Sequence, residues 1–417
     1  MNKPIKINLN ISTEPILFFA FFVFFVVATN SDWRSMSLPW WGSVFLVLAA
    51  YTVSHRLRVR VVMNGFTIWW GLFFAVCCLS ALAALDVGLV VDTLKTLLVL
   101  TVMLFLLSDS IRSEKNIEDL LYLMVCAISI NLVYVVFTID LQTFQLALQG
   151  LADTGRWNGN DLGMMAACIV PFLLYFLSGE NKRWARRLVA LAALPLACYI
   201  LYTTASRKAY VMFVLGVLGF IVLRKPQKLI RNICISLVLL VAAWVAMMEV
   251  PQLYDSIGWR MEGLVHAITG KGQVDSSAQI RLRYIALGID AFKESPILGY
   301  GIGNYSLINE LITGKNTYSH NNFVELLVGT GLLGFAAYYW LYVRLIFRYL
   351  GRLLHQRCDL LTSVIALSFM LFFLMHIGFV AYSDLLPQFL VLLLFYVLRL
   401  EKRETEVQEV ANESAYF

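Results

Sequence analysis

The chain alternates long apolar runs with short polar connectors. A helix needs about 20 mainly apolar residues to cross the hydrocarbon core of a bilayer. Twelve runs approach that length, over 14–30, 39–54, 62–84, 87–107, 119–138, 161–178, 188–205, 209–223, 229–250, 323–346, 360–382 and 385–399. The pattern predicts an all-α polytopic membrane protein of about twelve transmembrane helices. One polar stretch, 251–322, is long enough to build a site of its own. The expected organisation is about nine spans in 1–250, a long loop containing short helices in 251–322, about three spans in 323–400 and a cytoplasmic tail in 401–417. The first run is expected to remain in the protein, because no small-residue cleavage site follows Phe18–Val27.

Composition narrows the class. Of 417 residues, 60% are hydrophobic and 14% charged, where soluble proteins are nearer half apolar and a quarter charged. A soluble enzyme, a nucleic-acid binder and a disordered chain are thereby disfavoured, and no nucleic-acid partner is expected. The seven cysteines lack metal-ligand spacing and suggest no disulfide framework. Basic residues gather in alternate loops: Arg56, Arg58 and Arg60; Arg112 and Lys115; Lys182, Arg183, Arg186 and Arg187; Arg344, Arg348 and Arg352. The positive-inside bias then puts both termini in the cytoplasm and the 251–322 loop outside. Against that bias, Arg156 and the pair Arg207-Lys208 fall in short outer loops at span ends. Snorkelling to lipid headgroups explains them; so does convergence on one anionic ligand. Within the spans, Asp92 and Lys95 are spaced to pair with each other.

The long loop predicts helices over Ile257–Thr269 and Ser277–Ser295, joined by a Gly/Ser/Asp connector over Lys271–Ser277. The second helix carries two apolar stripes, Ile280/Tyr284/Leu287/Ala291 and Leu282/Ile285/Ile289/Phe292, as expected of a helix wedged between neighbours or between bilayer and protein. Arg281 and Arg283 point roughly 160° apart on a regular helix, so one phosphate cannot engage both. The run Gly299-Tyr-Gly-Ile-Gly303 lacks the strand and the acidic partner of a nucleotide site. It is expected to be a tight turn that brings the backbone close to a helix or ligand. His320 precedes the tenth span at the outer surface, where Ser319 or Asn321 can cap the helix. A helix N-terminus depresses a histidine pKa and favours the neutral, proton-accepting form. Of the other histidines, His55 and His355 lie in basic inner loops, His266 in the long loop, and His376 inside the eleventh span, where a hydrogen-bonded packing role is expected.

Several segments resemble the O-antigen ligase/O-antigen polymerase superfamily. They are Arg281-Leu-Arg-Tyr-Ile, Pro296-Ile-Leu-Gly-Tyr-Gly-Ile-Gly-Asn, Tyr318-Ser-His-Asn-Asn-Phe-Val-Glu-Leu and Gly331-Leu-Leu-Gly334, with Gly159-Asn160-Asp161-Leu-Gly and Thr204-Ala-Ser-Arg207 upstream. The resemblance implies a bacterial inner-membrane glycosyltransferase of GT-C-like type. Such an enzyme moves a glycan from an undecaprenyl-diphosphate carrier to a hydroxyl acceptor at the outer face of the plasma membrane. His320 matches the catalytic histidine, and Arg207 and Arg281 match arginines at the donor diphosphate. Arg156 is the third arginine of that set, although the segment before Asn160 is shorter than the family pattern. Lys208, Asn321 and Tyr318 are expected to support the site, and Arg283 matches no family position. The implied partners are the carrier-linked donor, a lipid-linked repeat or lipid A core as acceptor, membrane lipids and a chain-length regulator.

The chemistry is coherent without the resemblance. A guanidinium offers fixed bidentate donors to a leaving diphosphate, and a neutral imidazole can deprotonate a hydroxyl acceptor during attack. The outward acids contain no D-x-D pair, so neither metal nor another cofactor is expected, and one direct displacement inverts the anomeric centre. A double displacement needs a carboxylate nucleophile, from Asp290, Glu294 or Glu325; Glu325 is expected to pack or cap instead. Polymerase is favoured over ligase on the Tyr-Ser-His-Asn-Asn form. The alternative of another class is a polysaccharide-lipid transporter or flippase, which usually shows repeated halves; none is found here.

Overall fold

The computed structural model describes residues 14–55, 63–140, 143, 157–179, 183–225, 228–269, 276–355 and 358–414. Among them every regular element is helical. In chain order these are α1 (Glu14–Ala28), α2 (Ser31–Ser35), α3 (Ser37–Ser54), α4 (Gly65–Leu79, extended by a 3₁₀ turn Ser80–Ala83), α5 (Val87–Ser110), α6 (Glu114–Thr138), α7 (Gly159–Leu177), α8 (Trp184–Thr204), α9 (Arg207–Leu223) and α10 (Leu229–Glu249). A short turn, Pro251–Leu253, and a π-turn, Tyr254–Gly258, lead to α11 (Trp259–Thr269); then follow α12 (Ser276–Glu294), α13 (Tyr305–Thr313), α14 (Asn322–Leu354), α15 (Leu360–Met375) and α16 (Leu385–Ser414). Each of the twelve sequence-predicted spans falls on one of these helices. Eight of the helices are long and apolar enough to cross a membrane by length and composition, and Glu14–Ala28, Leu360–Met375 and Leu385–Leu400 are shorter apolar helices. Both helices expected in the long loop form.

Three boundaries differ from the sequence reading. The eleventh run ends as a helix at Met375, and residues 376–384 turn back as a loop. His376 therefore sits just beyond the helix rather than inside it. It is fully buried, with Nδ1 3.1 Å from the Tyr339 hydroxyl. The last helix runs to Ser414, so the expected tail continues it. The tenth run is one helix interrupted at Gly331, whose φ of 62° and ψ of −164° break the spiral.

That interruption explains the glycine run. In a continuous helix the Leu332 amide would bond the Val328 carbonyl. Instead Leu332 donates to the Pro296 carbonyl at 2.8 Å, and the Val328 carbonyl accepts from the Tyr300 amide at 2.8 Å. Residues 296–300 thus supply the partners the broken ladder lacks, as buried backbone groups require. The approach is so close that a Cβ on Gly299 would lie 2.3 Å from the Val328 carbonyl oxygen, and one on Gly331 2.2 Å from that of Ile297. Downstream, Asn304 exchanges two hydrogen bonds with the backbone of Asp86, at 2.9 and 3.1 Å. The expectation of a tight turn against a helix is met.

Helix α12 packs Tyr284, Leu287 and Ala291 against Val324 and Val328 of α14. Of the other stripe, Leu282 and Ile289 are exposed while Ile285 packs against the same cluster, and Ile280 of the first stripe is exposed as well. Asp92 and Lys95 form the expected i,i+3 pair at 2.9 Å.

Candidate functional site

His320 is set by the start of α14. Asn321 caps that helix, its side-chain oxygen accepting from the Phe323 and Val324 amides. One residue earlier the chain must reverse, and His320 adopts φ 56°, in the left-handed region. Histidine enters this region more readily than most residues, but the conformation persists only where its surroundings enforce it. Here they do. The Ser319 hydroxyl donates to the Asn321 carbonyl (2.8 Å) and accepts from the Asn321 amide (3.1 Å), while the Ser319 amide donates to the Glu325 carboxylate at 2.9 Å. Asn322 binds the 376–382 loop on both sides. Its amide donates to the His376 carbonyl at 2.8 Å, and its side-chain oxygen accepts from the Ala381 and Tyr382 amides. Asn321 donates to the Ile377 carbonyl at 3.1 Å.

The imidazole lies against the Tyr318 ring, centroids 4.2 Å apart, and runs nearly parallel to the Tyr284 ring at 6.4 Å. No hydrogen bond occupies either ring nitrogen among the described residues. Burial, and then the positive charges of Arg281 and Lys208, hold its pKa down from 6.5 to about 4. The ring is therefore neutral at pH 7, with a lone pair available for a proton.

The neighbouring cations come from two elements. Arg281 lies on the half-buried side of α12, while Arg283 faces outwards, as the helical phase predicts. Lys208, one residue into α9, is anchored by its ammonium on the Gly378 carbonyl and is within electrostatic reach of Arg281, Arg207 and Asp161. Arg207 is the first residue of α9. Arg156 lies outside the described residues. The structure thus brings His320, Tyr318, Asn321, Lys208 and Arg281 together, with Arg207 beside Lys208.

A cavity of about 600 Å³ opens on the other side of Tyr318. Its walls combine the carboxylates of Asp161, Asp384 and Glu325 with the amide of Asn316 and the hydroxyls of Ser306 and Thr317. The Tyr318 phenol, which lines the cavity and also touches the imidazole, is pushed up to about 12, first by burial and then by Asp161, so it stays protonated. Asp384 is bound by Arg34 at 3.1 Å; burial raises its carboxyl above the ordinary range, against the lowering by Arg34.

Sequence reasoning overlooked Asp384, Arg34 and Asp161 as site residues. Asp161 stood in a quoted segment without a role, and the only hint of Asp384 was a charge between the last two apolar runs. Each of the three carboxylates considered as nucleophiles has a partner, although Glu325 also lines the cavity. Asp290 pairs with Lys293 at 2.7 Å, Glu294 accepts from the Tyr300 hydroxyl at 3.0 Å, and Glu325 caps Ser319 as expected.

No curated protein matches the chain. Residues 192–339, which include Arg207, Lys208, Arg281 and His320, match the family model described as O-antigen ligase.

Proposed function

We propose that the protein transfers a glycan from an undecaprenyl-diphosphate carrier to a sugar hydroxyl at the outer face of the bacterial plasma membrane. His320 is the general base, and Arg281, Arg207 and Arg156 hold the diphosphate. The observation that carries this reading is a half-buried imidazole, its pKa held down to about 4, that sits beside two cations and has no hydrogen bond on either ring nitrogen among the described residues. A base must be unprotonated to work, and the same cations that keep it so attract an anionic leaving group. Such charge stabilisation is worth roughly 10²–10³-fold per well-placed donor.

The steps follow from these groups. The acceptor hydroxyl gives its proton to His320 as its oxygen attacks the anomeric carbon. The bond to the carrier phosphate breaks, the diphosphate leaves with the electron pair, and the guanidinium groups take up the growing charge. One displacement inverts the centre, and no metal or other cofactor enters the proposal. The hydroxyl- and carboxylate-lined cavity suits the polar sugar, since carboxylates accept from vicinal hydroxyls. In the bilayer all twelve helices cross, both termini are cytoplasmic, and the 251–322 loop is external.

Between the two acceptors of this chemistry we favour a carrier-linked repeat, which makes the protein a polymerase. Purified protein incubated with labelled carrier-linked repeats should give a ladder. A single shift of added lipid A core, with no ladder, would make it a ligase. Loss of both products in His320→Ala is the expected outcome, and wild-type turnover by that variant removes the assignment.

A further inference from the structure

The first helix of the long loop fastens the turn from which Arg207 and Lys208 emerge. Helix α8 ends at Thr204, Ala205 takes φ 44°, and α9 begins at Arg207. Alanine resists this left-handed conformation, because its Cβ crowds the following carbonyl. The turn is held from both sides. Arg260, the second residue of α11, donates from Nη1 to the Ala205 carbonyl at 2.6 Å. Ser256, in the π-turn, donates to the Tyr202 carbonyl at 3.0 Å. Across the turn, the Ser206 hydroxyl donates to the Asn160 side chain at 2.9 Å. Ala205 is 1% exposed, so its carbonyl depends on protein donors, and a guanidinium is a strong one.

We propose that Arg260 is a positioning residue. By gripping the Ala205 carbonyl it maintains the left-handed turn that fixes where α9 starts, and hence where Arg207 and Lys208 enter the site. The turn itself stands on the observed geometry; its catalytic consequence rests on the reading proposed above. Without Arg260 the alanine relaxes towards ordinary backbone and the two cations move with it. Misplacing a catalytic group by an ångström can cost about 10²-fold.

The test uses glycine at 205, which adopts positive φ without steric cost. Four full-length proteins are compared: wild type, Arg260→Ala, Ala205→Gly and the double variant. Amide hydrogen exchange at 205–208 is read alongside kcat and KM for donor and acceptor. Arg260→Ala should speed exchange at 205–208 and lower kcat by about tenfold or more, on the same positional sensitivity, with acceptor KM unchanged. The double variant should recover most of both. Arg260→Lys, which keeps one donor, should lie between Arg260→Ala and wild type, and paired with Ala205→Gly it carries the comparison if Arg260→Ala fails to accumulate. Unchanged exchange in the arginine variants, or no recovery on adding Ala205→Gly, overturns the proposal. If exchange follows this order while kcat does not, the positioning stands and the role given to Arg207 and Lys208 fails.

Discussion

The two ends of helices α7 and α8 treat positive charge in opposite ways. At the end where α8 begins, Arg186 is 1% exposed. It pairs with Glu118 at 2.7 Å and Asp119 at 2.5 Å, and its guanidinium lies over the Tyr122 and Phe176 rings. Arg183 shares Asp119, and the Tyr175 hydroxyl donates to Glu118. One helix length away, roughly 28 Å for about 19 residues, several cations gather near His320. Lys208 is within reach of Arg281, Arg207 and the Asp161 carboxylate, both Lys208 and Arg281 act on His320, and the Asp384 carboxylate is bound to Arg34. Charge balanced on the spot holds helices together. Charge gathered around a neutral imidazole serves, on the function proposed above, a ligand that brings its own negative charge.

Exchanging the chemistry of the two ends should give different kinds of failure. The largest effect belongs to His320→Ala. Transfer of labelled carrier-linked repeats should fall by roughly 10²–10⁴-fold, the usual worth of a general base, while the protein remains in the membrane at normal abundance. Next, Arg281→Lys should lose roughly 10²-fold or more in kcat, because a point charge cannot replace a bidentate donor. Arg283→Ala should retain most activity, and a larger loss there would reverse the assigned helix phase. At the far end Arg186→Met should cost about 3 kcal/mol of stability, since it leaves Glu118 and Asp119 without their buried partner. Thermal unfolding in detergent reads that loss, and activity per folded molecule should hold. The smallest effect is on pH. The folded pKa of His320 is depressed to about 4 from 6.5, so the unfolded chain binds the extra proton first on acidification. Stability then rises with pH between those values. The acid limb of kcat/KM should fall near pH 4, and a limb near 6.5 would mean that the ring is not held neutral.

Much of the fold was legible in apolar run length. A bilayer imposes one dominant period, and all twelve runs became helices, as did both loop segments. Helix phase separated Arg281 from Arg283 correctly, because one turn of regular helix suffices to decide it. Less legible was whatever depends on partners distant in sequence. The break at Gly331 is invisible locally, since the hydrogen bonds that permit it come from residues 296–300. Residues 376–382 read as a continuation of the eleventh apolar run, and the loop's role shows only when Asn322 binds three of its backbone groups. Asp384 and Arg34 become site residues through a contact spanning 350 positions.

The shared hydrogen bonds between residues 296–300 and the interrupted α14 have a bearing on any attempt to exchange parts between related chains. Pro296 and Tyr300 complete a helix to which they do not belong, so the 251–322 segment and the tenth apolar run are one unit of inheritance. A graft that takes the loop without the helix, or the helix without the loop, leaves the Val328 carbonyl and the Leu332 amide unmatched in the helix that follows His320. Recombination that respects this pairing should yield folded hybrids; crossovers placed between residues 300 and 328 should not.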